Sequence, residues 1–207
     1  MAKPRKPDVA TTLFLTPGMM AAKKIATAHL TATVAAKSAM LSSMLDDIAR
    51  VASMVKSASE KGATIFFCGN GGSAADAQHW ATELTVRYRK NRPGVAAVAL
   101  TTDTSALTAA ANDLGWEKVF SRQVEALVKP KDVLICISTS GNSKNVIAAA
   151  ATAKMLGATA IGLTGEAGGA LADVVDLCLR VPSGDTPVVQ ECHESIGHIL
   201  CAVFDGV

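Results

Sequence analysis

Short, nearly uninterrupted apolar runs recur along this chain, each followed by a segment of helical composition. No other feature restricts the fold as strongly. Residues 63–68, 96–101, 133–138 and 158–164 are such runs, and 175–181 is a fifth, ahead of a last helix over about 187–204. Strands that are apolar on both sides need cover on both sides, and strands alternating with helices build a parallel sheet. The expected fold is therefore α/β, a parallel five-stranded sheet flanked by helices. Right-handed crossovers bring the strand C-termini to one edge, where folds of this kind bind ligands.

Upstream of the first strand, residues 19–60 are rich in Ala, Lys, Met and Leu and contain neither proline nor glycine. They read as an N-terminal helical extension of one long or two consecutive helices. Its apolar surface exceeds what one small domain can cover, which points to packing against another subunit. Residues 1–18, with prolines and a cluster of positive charge, read as a flexible segment. The expected organisation is thus 1–18, 19–60 as an oligomerisation region, and 61–207 as the main domain.

Twenty basic residues face 18 acidic ones, a net charge of +2, which argues against a nucleic-acid binder driven by charge. No stretch approaches the roughly 20 apolar residues that span a bilayer, so no membrane partner is expected. The basic head and short apolar patch at the start are interrupted by Pro17 and Gly18, without a signal-type cleavage site. Five cysteines follow no CxxC pattern and read as small buried hydrophobes of a reducing compartment. A cytoplasmic protein is expected.

Two strand ends carry unusual chemistry. After the first comes Gly69-Asn70-Gly71-Gly72-Ser73, where glycines permit a tight turn close to a ligand and Ser73 can cap the next helix. Backbone N–H groups at a helix start favour an anion. Gly69, Gly71 and Ala74 also fit a dinucleotide fingerprint, but Asp103, the nearest candidate for its acidic partner, lies well beyond the required spacing of about 20 residues. After the third run comes Ser138-Thr139-Ser140-Gly141-Asn142-Ser143, four hydroxyls in six residues at a strand-to-helix junction. Such a loop suits a terminal phosphate without needing lysine or arginine.

His79 and Glu83 lie four apart on one helix and share a face. Gln190 and His198 lie eight apart on the last helix, about 80° from each other. Spacing alone leaves His79 and Glu83 open to being a surface pair. His29, His193, Trp80 and Trp116 read as structural residues.

The strings CGNGGSAADAQHWATELTVRYRKNRPG, AAND, ISTSGNS, LTGEAGG and VPSGDTPVVQECHESIGHIL together resemble the sugar isomerase (SIS) fold, and within it the bacterial phosphoheptose isomerases. The likeness covers about residues 62–203. It implies an aldose–ketose isomerase that converts sedoheptulose 7-phosphate to a manno-heptose 7-phosphate through an enediol, early in heptose synthesis for lipopolysaccharide or related glycans. It further implies a homotetramer. Carried over, Asn70, Gly71, Gly72, Ser73, Asn112, Asp113 and Gln190 should contact substrate, and Ser138, Thr139, Ser140 and Ser143 should hold its phosphate. His79, Glu83, Gln190 and His198 match the positions of a zinc site, one ion per subunit. Glu83 and His198 match the acid–base pair of members described without metal.

These implied roles compete, because a side chain whose lone pair is committed to zinc cannot also carry protons. The rival resemblance is to a non-catalytic SIS protein that binds the replication initiator. That group lacks the equivalents of Glu83 and His198 and has arginine in place of Ser140.

Overall fold

The structure, a computed structural model, describes residues 16–206. The first 15 residues of the expected flexible segment lie outside the described residues. The boundary expected at residue 18 falls within the first turn of helix α1, Pro17–Ser43. Proline at a helix start has its backbone angle preset and lacks an N–H that would otherwise need a partner. Thr16 caps this end, its side chain accepting from the Met19 N–H at 3.2 Å.

A break at Met44 separates α1 from α2, Leu45–Glu60, so the extension is two consecutive helices. Asp46 and Asp47 in the first turn of α2 complement the positive end of its dipole. One side of α1 is covered through Thr33, Ala36 and Met40. On the other, Leu30, Val34 and Leu41 fall within about 40° of arc and are between 63% and 66% exposed, and Leu45 at the start of α2 is 52% exposed.

Five strands follow: β1 Ile65–Gly69, β2 Ala97–Ala99, β3 Val133–Ile137, β4 Thr159–Thr164 and β5 Leu177–Arg180. All neighbours pair in parallel, in the order β2-β1-β3-β4-β5. The chain runs through α3 Gly72–Thr85, α4 Thr104–Leu114, α5 Ser121–Leu127, α6 Lys144–Met155, α7 Gly169–Val174 and α8 Thr186–Asp205. The fold class expected from the apolar runs is the one observed. β2 is shorter than its run, because the chain turns at Leu100–Thr101, although the Leu100 N–H still reaches Phe67 O at 2.9 Å.

The pleat sorts the strand residues into two cores. Ile65, Phe67, Ile135, Ile137, Ile161 and Leu163 face a layer that includes α2, α3 and α8. Phe66, Cys68, Leu134 and Cys136 face a layer that includes α5 and α6. Cys68 and Cys136, opposite one another in register, are wholly buried thiols. Each large side chain buried in this way contributes about 1.5–3 kcal/mol. The effect on function is positional: α3 and α8 lie side by side on one face, with α3 starting at the edge where the first loop emerges.

Candidate active site

The strand order reverses between β1 and β3, the topological switch point at which α/β sheets leave a crevice. Gly69 and Ile137 sit opposite each other at the ends of those strands, so both unusual loops leave from the same place. In the first loop a side chain at Gly69 would meet the Ser73 carbonyl at 2.7 Å, which forces glycine there. Gly71, with φ +55° and ψ −122°, occupies the cap position of α3. Ser73 is therefore not the cap expected of it: the cap falls two residues earlier, at Gly71, and Ser73 is buried in the first turn. Asn70 and Asn145 exchange side-chain amide hydrogen bonds of 2.9 Å in both directions, tying this loop to the start of α6.

The hydroxyl loop is internally bonded. Ser138 Oγ donates to Ser143 Oγ at 3.0 Å, and Ser140 Oγ accepts from the Asn142 N–H at 3.1 Å. Gly141, at φ +66°, lets the turn pass against Gly168, where a Cβ would overlap the carbonyl. The loop is also fixed to the end of β4, since the Gly165 N–H reaches Thr139 O at 2.9 Å. Ser143 stands at the cap position of α6, yet its hydroxyl makes no bond to that helix. Hydroxyls that turn to one another at a helix start, rather than capping it, make a neutral donor-rich cradle suited to an anion.

The second half of the site is made where α3 meets α8. Gly197 permits the close approach, because any side chain there would overlap the Trp80 indole. Trp80 is buried against Phe67 in an edge-on arrangement at 6.1 Å. Its Nε1–H donates to Glu194 Oε2 at 3.0 Å. The other oxygen of Glu194 lies 3.2 Å from His79 Nε2 and 3.1 Å from His198 Nε2, and the two imidazole nitrogens are 3.1 Å apart. The Tyr88 ring stacks on His198 at 5.5 Å. Glu83 Oε1 is 4.0 Å from His79 Nε2. Gln190 packs its amide against Gly72, at the start of α3.

Three lone-pair donors converging at 3.1–3.2 Å suit a cation. Zinc bonds of about 2.0–2.1 Å give a tetrahedron with edges of about 3.3 Å, close to this triangle. His79, Glu194 and His198 thus form a cluster able to hold a metal ion. Of the four positions implied by resemblance, His79 and His198 meet directly, Glu83 stands at the margin and Gln190 lies one turn before Glu194 on α8. Glu194 was not among the expected site residues. Its spacing of four from both Gln190 and His198 was the available signal, but a helical glutamate ordinarily faces water.

Asp76, buried beside Glu194, has its carboxyl pushed up to about 7, first by burial and then by the charge and hydrogen bond of Glu194. Trp80, read as structural, orients Glu194. His193 is a core residue, its Nε2–H 3.2 Å from Thr164 O. Burial holds its pKa down at about 4, against the effect of that carbonyl. His29 and Thr33 of α1 bind the Glu191 carboxylate of α8 at 2.7 and 2.6 Å. Asn112 donates to Asp113 at 2.7 Å on α4. Asp113 also lines a groove of about 520 Å³ between α4 and α5 whose walls are largely alanine and leucine. That groove shares no lining residue with the loops or the cluster.

A family model described as SIS domain matches residues 29–165. A phosphoheptose isomerase of Rhodospirillum rubrum is 52% identical over 158 residues, spanning 76% of this chain and 84% of the relative. One of Helicobacter pylori is 60% identical over 137 residues, 66% of this chain and 71% of the relative. The solved structure of a phosphoheptose isomerase from Neisseria gonorrhoeae superposes with a TM-score of 0.84 at 42% identity, covering 89% of this chain and 99% of that one.

Proposed function

This chain belongs to the SIS domain family and, within it, to the phosphoheptose isomerases; from that premise we propose that it converts sedoheptulose 7-phosphate to D-glycero-D-manno-heptose 7-phosphate. The observation that carries the reading is that both unusual loops leave one sheet edge, and that α3, which starts there with Gln190 of α8 packed on Gly72, carries His79 into a carboxylate–imidazole cluster with His198 and Glu194. Ser138, Thr139, Ser140 and Ser143 hold the phosphate, which fixes the far end of the carbon chain. Asn70, Gly71, Gly72, Ser73, Asn112, Asp113 and Gln190 complete the substrate contacts in this reading.

Isomerisation removes a proton from C1 of the ketose, passes through an enediol and returns a proton to C2. Glu83 is the carboxylate assigned to the carbon-bound proton, and a positioned base of this kind contributes about 10²–10⁴ in rate. His198 serves the protons on the two oxygens in the metal-free form of the mechanism. Where zinc is bound, held by His79 and His198 with a carboxylate, it supplies Lewis-acid polarisation of the carbonyl.

The exposed stripe of Leu30, Val34, Leu41 and Leu45 on α1 and α2 supports association into a homotetramer, since one molecule leaves it uncovered. Free thiols at all five cysteines accord with the reducing cytoplasm. Among the described residues no helix is long and apolar enough to cross a membrane.

The test is incubation of the full chain with sedoheptulose 7-phosphate, followed by NMR, before and after chelation and zinc addition. Aldose product is expected. Absence of product with and without zinc contradicts the reading and favours the initiator-binding alternative.

A further inference from the structure

We infer that Lys144 is a further substrate-binding residue beside the hydroxyl loop, a cation that leaves Glu117 for the substrate's phosphate when that group enters the loop. The inference rests on the isomerase reading for the identity of the anion, while the arrangement of loop, lysine and carboxylate stands on geometry. Residues 138–143 bring hydroxyls, an amide and backbone N–H groups but no charged side chain. Such donors satisfy the oxygens of a phosphate without matching its charge, about −1.5 to −2 near neutral pH. The N-terminus of α6 adds only about half a positive charge. Lys144 follows Ser143 directly, as the first residue of α6. Side chains lean toward the N-terminus of their helix, so its stem starts out toward the loop rather than away from it. The helix start itself is fixed, because the next residue, Asn145, is buried and bonded to Asn70, whereas Lys144 faces solvent.

The Lys144 ammonium lies 3.0 Å from Glu117 Oε1, on the single helical turn Trp116–Lys118. The two side chains are 77% and 60% exposed. An ion pair in that setting contributes little, because water screens it and two long side chains must be held in one geometry. The lysine therefore gives up little on leaving its carboxylate. A phosphate at the helix start presents a larger negative charge than a carboxylate does. The ammonium, a compact charge on a flexible four-carbon stem, is free to turn to it. Glu117 acts in the opposite sense: it neutralises the lysine while the loop is empty and competes with the phosphate for it afterwards.

The experiment is calorimetry of the full chain with inorganic phosphate and with sedoheptulose 7-phosphate, at low and at high salt. K144M keeps the stem without the charge and is expected to weaken both anions by about threefold or more, a difference that shrinks at high salt. E117Q breaks the same ion pair from the other side and is expected to tighten both by about twofold. The double variant should bind as K144M does. If the pair only ties the helical turn to α6, the two single variants weaken binding alike. That outcome, or a smaller loss in K144M than expected, overturns the assignment and leaves the isomerase reading standing where turnover persists. Anion binding that depends on Lys144 without turnover of sedoheptulose 7-phosphate would instead overturn the isomerase reading and leave the lysine's role standing.

Discussion

Six consecutive residues, Ser138 to Ser143, make up the hydroxyl loop, whereas the cluster between α3 and α8 joins His79 to His198 across 119 positions of chain. The loop is held by bonds among its own members and by backbone ties to neighbouring elements: the Ser138 N–H to Leu163 O and the Gly165 N–H to Thr139 O at β4, and the Leu171 and Ala170 N–H groups of α7 to Gly141 O and Asn142 Oδ1. The cluster exists only because two helices from opposite ends of the main domain are brought into contact at Gly197 and Trp80. Substrate anchoring thus rests on local structure and chemistry on tertiary placement. The two should fail differently when disturbed.

The larger expected effect follows from loosening the helix pair. Asp205 at the end of α8 has a wholly buried side chain, paired with Arg92 at 3.0 Å and accepting from the Arg89 and Lys90 N–H groups at 2.6 and 2.8 Å. Arg92 in turn donates to the Glu83 and Leu84 carbonyls at the end of α3. Burial alone would raise the Asp205 carboxyl, but these donors and the guanidinium charge outweigh it and hold it below the usual range. Asp205→Asn should therefore cost about 3–5 kcal/mol at neutral pH, the usual penalty for breaking a buried pair, with turnover lost ahead of phosphate binding.

The sign of the pH effect follows from linkage. A depressed carboxyl stabilises the fold above its unfolded value of about 4, and that contribution disappears as pH falls through the lower folded value. Thermal melts of wild type and variant should converge below about pH 4. A gap that stays constant with pH would show that the ion pair is not what joins the helices.

The smaller effect lies in the loop. Ser143→Ala removes a hydroxyl that bonds the buried Ser138 and not its own helix, so stability should fall by about 1–3 kcal/mol, less than for Asp205→Asn. Losing one hydrogen bond to a charged phosphate should raise KM about tenfold or more, with kcat changed much less. Steady-state kinetics check this directly. A fall in kcat at unchanged KM would mean that the loop takes part in the chemistry, and the contrast between the two regions would be lost.

The same contrast explains what could be read without coordinates. Continuous apolar strands and the hydroxyl loop are properties of adjacent residues, and both were legible. The cap of α3 was misplaced by two residues: Gly71, not Ser73, takes that position, and Ser73 lies inside the first turn where Gly69 packs on it. The break at Met44 has no proline or glycine to announce it. Glu194 was missed for a different reason. Its periodicity on α8 matches that of any solvent-facing glutamate, and it acquires meaning only once Gly197 lets Trp80 and His79 approach.

The central claim is that binding and chemistry are separated between loop and helix pair, and Glu83→Gln tests it most directly. Sedoheptulose 7-phosphate in D₂O is followed by NMR for exchange at C1 and appearance of aldose, alongside its binding affinity measured by calorimetry. The account predicts affinity within a few-fold of wild type, with exchange and product formation reduced by about 10³ or more. Exchange at the wild-type rate, or affinity lost together with exchange, would contradict it.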